Sequence, residues 1–504
     1  MNRSKRSAIN IVAVLFNSMV KAIIPFILRT LVIYRLGEKY TGLGGLFTSI
    51  LTVLNLTELG FGNAIGFLMY KPMADLQYER VSKLLNYMKR VFLFVGCIVS
   101  LLGMLVCPFL NHLINGTVPE DVNIYTLYVL YLLNTVASYF FGGYNRTVIQ
   151  AGQRNDVISN IDSIVYMITS IIQIVVLVFF PNYYLYIIWL VLSSVVSNII
   201  ISQAEKKMFP KIRPRGLLDK SEKRIIYGKV KALFLYRIGN IIFTSSDNIV
   251  ISAFLGLEII AYYGNYYQMI NIIFALTYTA FGAITSVIAN KINQTSTKES
   301  KFLFNTINFW VCNLSGVFFV GFVLLAQSFM IIWMGEGRLI ENSTVILLGV
   351  SFYIQQTRRG ATVWYDALGL WDQSSFAPFI SGIVNLILNI ILVQKIGLNG
   401  VVLSTIIASL IIGVPWEIFV IFNQYYHENS RKYLFENLVY VAAIIVNTAI
   451  CKLVIVQISL FGIVGLILKG IVIILICFGT FFLFWRKSDY FNYGIILVKN
   501  IVKR

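Results

Sequence analysis

The sequence predicts an all-α, polytopic membrane protein, and three observations lead to this fold class. Of the 504 residues, 58% are hydrophobic and only 12% are charged, which is far from the balance of water-soluble domains. Apolar runs of about 20 residues, the length that crosses about 30 Å of hydrocarbon as a helix, recur along the whole chain. The 41 Lys and Arg residues concentrate in alternate loops between these runs.

We predict about fourteen transmembrane helices, the first around residue 20 and the last around residue 473. With the N-terminus inside, the inner segments contain 30 Lys and Arg, and the outer segments contain four: Arg35, Lys39, Arg338 and Lys395. Cytoplasmic loops of membrane proteins carry this excess of positive charge, so both termini are predicted to be cytoplasmic. The basic start MNRSKRSAINIVAVLF is interpreted as a retained first helix, because its apolar run is too long for a signal peptide.

An internal repeat divides these helices into two halves. The stretch RLGEKYTGLGGLF, which leads to ELGFGNAIGFLMYK, is echoed by FLGLEIIAYYGNYY, which leads to TAFGAITSVIANK. Gly44 and Gly264 are 220 residues apart, as are Lys71 and Lys291. Because six helices separate the equivalents, the two copies should have the same orientation and be related by a parallel pseudo-two-fold axis. We therefore predict an N-terminal six-helix lobe (1–205), a basic cytoplasmic linker (206–231), a C-terminal six-helix lobe (232–430), and two additional helices with a cytoplasmic tail (431–504).

Seven cations and five acids fall inside the predicted spans. A charge exposed to lipid at the bilayer centre costs about 2.5–3.5 kcal/mol, so these side chains should face a wet cavity or an opposite charge. The surplus of cations favours an anionic solute, and guanidinium groups bind phosphate in a bidentate way. The candidate substrate-binding residues are Lys21, Arg29, Arg237, Arg358 and Arg359.

The same charges allow two other interpretations. Salt bridges from the cations to Asp247, Glu58 or Asp366 would hold the helix bundle together. The acids could instead bind a proton or Na⁺ in exchange for the solute, which makes Glu58, Asp247 and Asp366 candidate ion-coupling residues. Glu58 is the best placed of them, beside a GxxxG helix contact at Gly62 and Gly66, and a hydrogen-bonded structural acid is its alternative.

Several classes of protein and site are disfavoured by the sequence. It has no GxxxxGK[ST], HExxH or GxSxG motif, so neither a cofactor nor a catalytic residue is predicted. The net charge of +19 lies in short loops rather than on one folded face, so nucleic acid is not an expected partner. Neither a metal site nor a disulfide framework is expected, since there are only two histidines and no CxxC spacing among the cysteines, Cys97, Cys107, Cys312, Cys451 and Cys477.

Residues 35–77, RLGEKYTGLGGLFTSILTVLNLTELGFGNAIGFLMYKPMADLQ, resemble the opening of Wzx-type oligosaccharide-repeat flippases. Those proteins belong to the multidrug/oligosaccharidyl-lipid/polysaccharide exporter superfamily, together with the MATE exporters and the MurJ lipid II flippase. The resemblance implies two lobes that alternate between inward-open and outward-open states. It also implies that they carry an undecaprenyl-diphosphate-linked oligosaccharide across the bacterial cytoplasmic membrane, for exopolysaccharide, capsule or O-antigen assembly.

For the site, the resemblance implies that Lys21, Arg29 and Arg237 are cavity cations that contact the diphosphate and sugars. The residues around them depart from the lipid II flippase pattern, so the resemblance does not extend to lipid II as the substrate. The implied partners are the lipid-linked oligosaccharide, H⁺ or Na⁺ as a coupling ion, and the polysaccharide polymerase and glycosyltransferase machinery.

Three other functions compete with this interpretation. A MATE-like, cation-coupled exporter of small molecules should expose acids rather than a cationic surplus in its cavity. A membrane enzyme would need a large outer loop or a catalytic motif, and the longest predicted outer connection is only about a dozen residues. A passive lipid scramblase would not depend on alternating access.

Overall fold

The described part of the protein is built from helices. In this computed structural model, residues 23–55, 61–292, 295–368 and 376–502 are described, and within these ranges every regular element is helical. The predicted all-α fold class is confirmed. Lys21 and Glu58 lie outside the described residues.

The long helices have the length and hydropathy of membrane spans. Within the described ranges, eight helices are long and apolar enough to cross a membrane, with nine spans if Ile124–Phe140 and Gly143–Ala151 are one broken span bent by 50°. The prediction of a polytopic membrane protein is confirmed, while the total of fourteen spans stays a prediction.

The chain divides into two compact units, with the boundary between Ala261 and Tyr262. The lobe boundaries predicted from the sequence stay predictions. Unit 1 contains α1 (23–35), α2 (Glu38–Leu54), α3 (Phe61–Ala74), α4 (Tyr78–Val106), α5 (Ile124–Phe140), α6 (Arg146–Ala151), α7 (Asn155–Phe179), α8 (Tyr183–Met208), α9 (Lys220–Leu255) and the start of α10 (Leu257–Ile292).

Buried tyrosines fill part of the core of unit 1. The Tyr183 hydroxyl donates to the backbone carbonyl of Tyr40 at 2.9 Å and lies 2.9 Å from the hydroxyl of Tyr131. Gly44 on α2 makes room for both hydroxyls, since a Cβ there would lie 2.7 Å from the Tyr131 oxygen and 2.8 Å from the Tyr183 oxygen. The glycine-rich face of α2 is therefore a close-packing face.

Two glycines of the predicted repeat have similar backbone conformations. Gly37, which precedes α2, has φ 122° and ψ 170°, and Gly256, between α9 and α10, has φ 94° and ψ 174°. Glycine enters this region readily because it has no Cβ.

The end of α9 is capped by Asn115, whose backbone N–H donates to the Ser252 carbonyl at 2.9 Å and whose side-chain amide donates to the Phe254 carbonyl at 2.7 Å. These bonds satisfy carbonyls that the last helical turn leaves unpaired.

The basic segment between α8 and α9 lies on the first turns of α4. The side-chain amide of Asn86 donates to the Gly216 carbonyl at 2.6 Å, and the backbone N–H of Arg213 donates to the Ser82 hydroxyl at 3.2 Å. Ile212 is fully buried beneath this segment. Part of the predicted linker is therefore an ordered part of unit 1.

Unit 2 is organised around α11, which contacts α12, α15, α16 and α17. Its helices after the boundary are the rest of α10, α11 (Thr297–Met334), α12 (Asn342–Leu368), α13 (Phe376–Ala408), a π-helical segment (Ser409–Gly413), α14 (Val414–Ile418), a second π-helical segment (Phe419–Tyr426), α15 (Arg431–Val456), α16 (Gly462–Trp485) and α17 (Asp489–Val502). Helix α13 is kinked at Ile396 and Gly397, where Gly397 has φ 57°.

The C-terminal helix α17 packs on α11 through a glycine. The rings of Trp310 and Phe491 stack with centroids 5.5 Å apart, and the Trp310 indole N–H donates to the Tyr490 carbonyl at 3.3 Å. A Cβ on Gly494 would lie 2.7 Å from Trp310 Cδ1, well inside van der Waals contact. The close approach of α17 to α11 therefore requires glycine at position 494.

We predict that Gly494→Leu displaces α17 from Trp310 and destabilises the purified protein by about 1–3 kcal/mol, the usual range for overpacking. The measurement is the thermal unfolding midpoint in detergent together with the tryptophan emission spectrum of the protein. Asn492→Leu adds a similar side chain at an exposed position of the same helix and should leave both readouts near the wild type. Equal midpoints for the two variants would contradict the proposed contact.

Candidate binding site

Two of the predicted cations of unit 1, Arg29 and Arg237, are half-buried. Arg29 lies on α1, and its Nη2 donates to the carbonyl of Ala261 in α10 at 2.9 Å. Arg237 lies on α9. The substrate contacts assigned to Arg29, Arg237 and Lys21 stay predictions, with Lys21 outside the described residues.

Of the three predicted ion-coupling acids, Asp247 is the one whose side chain is described. It is 8% exposed on α9. Glu58 and the side chain of Asp366 lie outside the described part of the chain. The coupling role of all three stays a prediction.

Arg358 in unit 2 forms an ion pair with Glu417. Its Nε and Nη2 donate to the same carboxylate oxygen, Oε1, at 3.0 and 2.7 Å. The two side chains are 25% and 14% exposed, so the pair is largely removed from solvent. Arg359, the next residue, is half-buried and points about 100° away around α12.

The local backbone places Glu417 opposite Arg358. Glu417 lies on α14, a short α-helical segment with Pro415 near its start and a π-helical segment on each side. Short π-helical insertions change the register of a helix and occur often at functional sites. Gly413, in the first of these segments, faces the guanidinium: a Cβ there would lie 2.9 Å from Arg358 Cζ. Glycine at this position therefore opens the slot that the guanidinium fills.

The ion pair lies at an apolar cavity of about 470 Å³. Phe319, Val350, Ile444 and Ile445 are among its apolar walls, and the polar lining residues are Tyr353, Thr357, Tyr433 and Asn437. Among the described residues that line the cavity, Arg358 and Glu417 are the charged ones. We call this space the unit 2 cavity.

Helix α15 brings the unit 2 cavity to an apolar outer surface. Leu438 and Ile445 line the cavity and are nevertheless 68% and 64% exposed. An exposed apolar rim of this kind is suited to contact with acyl chains. The unit 2 cavity is therefore accessible to an apolar ligand from the side.

Aromatic side chains support the wall of the cavity next to the ion pair. Phe422 and Tyr433 lie with ring centroids 5.0 Å apart, and Phe304 contacts Trp364 edge to face at 5.1 Å. The indole N–H of Trp364 donates to the Tyr426 hydroxyl at 2.9 Å. This cluster holds the second π-helical segment against α11 and α12.

Unit 1 contains a second partly buried ion pair. Arg146 donates to both carboxylate oxygens of Asp162, at 2.7 and 2.9 Å, and also to Asn198 and Ser197. The Ser197 hydroxyl donates to the same carboxylate at 2.6 Å. This network links α6, α7 and α8, and its bonds are mutually satisfied, which favours a structural role.

The sequence interpretation missed Glu417 as the partner of Arg358. It named Asp247, Glu58 and Asp366 as salt-bridge partners, whereas the carboxylate at Arg358 comes from 59 residues further along the chain. One signal was available: an acid two residues after a proline inside a long apolar run, which indicates a helix irregularity with a buried charge.

The fold is that of the MurJ and MATE transporters. A structure described as the lipid II flippase MurJ in an inward closed conformation has a TM-score of 0.70 and 16% identity, with 94% of this chain and 99% of that chain covered. An inward-facing multidrug resistance MATE family transporter of the MOP superfamily has a TM-score of 0.60 at 14% identity over 80% and 96% of the two chains. A transporter of the same description in an outward-facing conformation has a TM-score of 0.53 at 13% identity over 80% and 92%. At these identities the likeness shows the fold.

The family model described as "Polysaccharide biosynthesis protein" matches residues 7–290, more than half of the chain. The chain therefore belongs to this family of polysaccharide biosynthesis proteins. No curated protein matches it. The structures that share this fold are described as a flippase and as transporters, in agreement with the prediction that the protein is not an enzyme.

We predict that Arg358→Met lowers stability by about 1–3 kcal/mol, because it leaves the Glu417 carboxylate without this partner in an apolar cavity. The double variant Arg358→Met/Glu417→Gln should lose less than the sum of the two single losses. A double-mutant cycle on the thermal unfolding midpoint measures this coupling, with the exposed Lys395→Met as the matched loss of a cation. Additive effects would show that the pair contributes nothing to stability.

Proposed function

We propose that the protein flips polyprenyl-diphosphate-linked oligosaccharide repeat units across the bacterial cytoplasmic membrane by alternating access. The observation that carries this proposal is the unit 2 cavity, an apolar space open towards lipid with a guanidinium among its lining groups. A ligand that fits it has an apolar chain and an anionic group at one end. Membership of the polysaccharide biosynthesis family supports a lipid-linked glycan as that ligand.

The two ends of such a ligand correspond to different parts of the cavity. The apolar lining, which includes Phe319 and Ile445, suits a stretch of the polyprenyl chain, since Arg358 and Glu417 are the charged groups among the described lining residues. Arg358 lies ten residues before Leu368, the last residue of α12, which places it about 15 Å from that end along the helix axis. Its planar guanidinium is suited to a diphosphate, which offers several oxygens in a bidentate arrangement.

The other predicted cations have a place in the same proposal. Lys21, Arg29, Arg237 and Arg359 would contact the diphosphate or the sugars at other stages of the cycle. Arg29 has to exchange its bond to the Ala261 carbonyl for such a contact. Glu58, Asp247 and Asp366 remain the candidate sites for a coupled H⁺ or Na⁺.

Orientation and partners follow from the charge distribution. The excess of 30 over four Lys and Arg supports an inner-membrane protein with both termini in the cytoplasm. Glycosyltransferases would then supply the lipid-linked repeat unit on the cytoplasmic face, and a polymerase would use it on the other face.

We predict that Arg358→Met lowers flipping of an undecaprenyl-diphosphate-linked glycan in reconstituted vesicles by about tenfold or more, because the guanidinium contact to phosphate is lost. Arg358→Lys keeps the charge without the planar fork and should retain an intermediate rate. Lys395→Met removes an exposed cation of the same unit and should not change the rate. Each variant is first checked for a monodisperse profile in detergent. Wild-type flipping by both Arg358 variants would remove the cavity from the substrate path.

The membrane potential is proposed to drive this transport without a coupled ion. A diphosphate carries about two negative charges, so its outward movement gains about 4–5 kcal/mol at 100 mV, inside negative. We predict that a potassium diffusion potential of this size makes vesicles accumulate the glycan lipid in the outer leaflet in the absence of H⁺ and Na⁺ gradients. Unchanged net outward flipping with the potential clamped at zero would refute the proposal, and dependence on an imposed H⁺ or Na⁺ gradient would favour a MATE-like coupling mechanism.

A further inference from the structure

The guanidinium in the unit 2 cavity is held by a carboxylate of the same unit. Both hydrogen bonds from Arg358 to Glu417 are at 3.0 Å or shorter, and Glu417 is the less exposed partner. Gly413 and the two π-helical segments give this contact its geometry. This irregular backbone therefore places a carboxylate, as well as a cation, at the cavity.

A guanidinium without that carboxylate would be a poorly selective site. The bilayer around the protein consists of phospholipids with two acyl chains and a phosphate group, and many carry one net negative charge. Such lipids match an apolar cavity with a cation at its edge and are present in great excess. A transporter of a rare lipid diphosphate has to exclude them, and specificity of this kind often comes from an element that acts against the wrong ligand.

We infer that Glu417 is a specificity-determining residue that excludes monoanionic phospholipids from the unit 2 cavity, an inference that rests on the proposed function. A phosphate that binds the Nε–Nη2 edge of Arg358 has to displace the Glu417 carboxylate, which occupies that edge. A monoanionic phosphodiester replaces one negative charge by another, so the exchange contributes little to its binding free energy. A diphosphate brings about two charges and more acceptor oxygens, so it gains more from the same exchange.

The surroundings of Glu417 are consistent with displacement rather than a permanent structural pair. The groups that line the cavity around it are Arg358 and Tyr353 on α12 and Tyr433 and Asn437 on α15. The Tyr365 hydroxyl donates to the backbone carbonyl of Glu417 at 3.3 Å, which fixes the main chain and not the carboxylate.

The test compares two lipid probes on the full-length protein in nanodiscs of zwitterionic lipid. The probes are a fluorescent phosphatidylglycerol, with one phosphate charge, and undecaprenyl diphosphate. Glu417→Gln should bind phosphatidylglycerol about tenfold more tightly than the wild type. The ratio of the affinity for undecaprenyl diphosphate to the affinity for phosphatidylglycerol should fall accordingly. Adding Arg358→Met to Glu417→Gln should abolish that gain. The control is Glu336→Gln, which removes an exposed acid of the same unit away from the cavity.

The outcomes separate this inference from the proposed function. If Glu417→Gln binds phosphatidylglycerol no better than the wild type, or if Glu336→Gln gains as much, the assignment of specificity to Glu417 is overturned. If the wild type fails to bind undecaprenyl diphosphate, the proposed function fails. A higher affinity for phosphatidylglycerol in Glu417→Gln, and not in Glu336→Gln, would still show that the Glu417 carboxylate excludes this lipid from the cavity. Preference for the diphosphate in the wild type, lost in Glu417→Gln, supports both.

Discussion

The interaction on which the rest of this protein depends is the pairing of charged and polar groups where water is absent. A hydrocarbon environment offers no hydrogen bonds, so every buried charge has to find a partner in the protein. The described residues show three solutions. Arg146 is surrounded by Asp162 and neighbouring polar side chains, Arg29 donates to a backbone carbonyl, and Arg358 is held by Glu417. The first solution fixes a helix bundle, since it joins α6, α7 and α8.

The same constraint explains where the helices are irregular. An α-helix satisfies its own backbone, so any interruption exposes carbonyls or N–H groups that need other partners. At the end of α9 these carbonyls are bonded by Asn115. Around Glu417 the interruption takes the form of π-helical turns, which keep the backbone bonded while they change the direction of the side chains. The chain can therefore present a carboxylate to a cavity without breaking the helix.

The sequence was sufficient for the fold and insufficient for the partners of the charges. Hydropathy and charge asymmetry are read directly from the chain and predicted the all-helical membrane fold, while the resemblance of residues 35–77 predicted the family. The partner of Arg29 is a backbone carbonyl, which every residue has, so no residue type could indicate it. The partner of Arg358 is 59 residues away and reaches it through π-helical turns, so a regular helical period would not place it correctly. The pairing of such side chains depends on the register of the helices, which is a property of the folded unit.

The pairing of Arg358 changes how the membrane potential acts on transport. A lone cation in the empty site would be pulled inward by an inside-negative potential and would favour return of the empty state. Paired with Glu417, this site has no net charge when empty, so the field exerts no force on it during the return. In the proposed cycle, a diphosphate that replaces the carboxylate brings about two negative charges to this site. In that cycle the potential then acts on the loaded step alone through this site, and any voltage dependence of the return has to come from other charges, such as Arg29, Arg237 and Arg359.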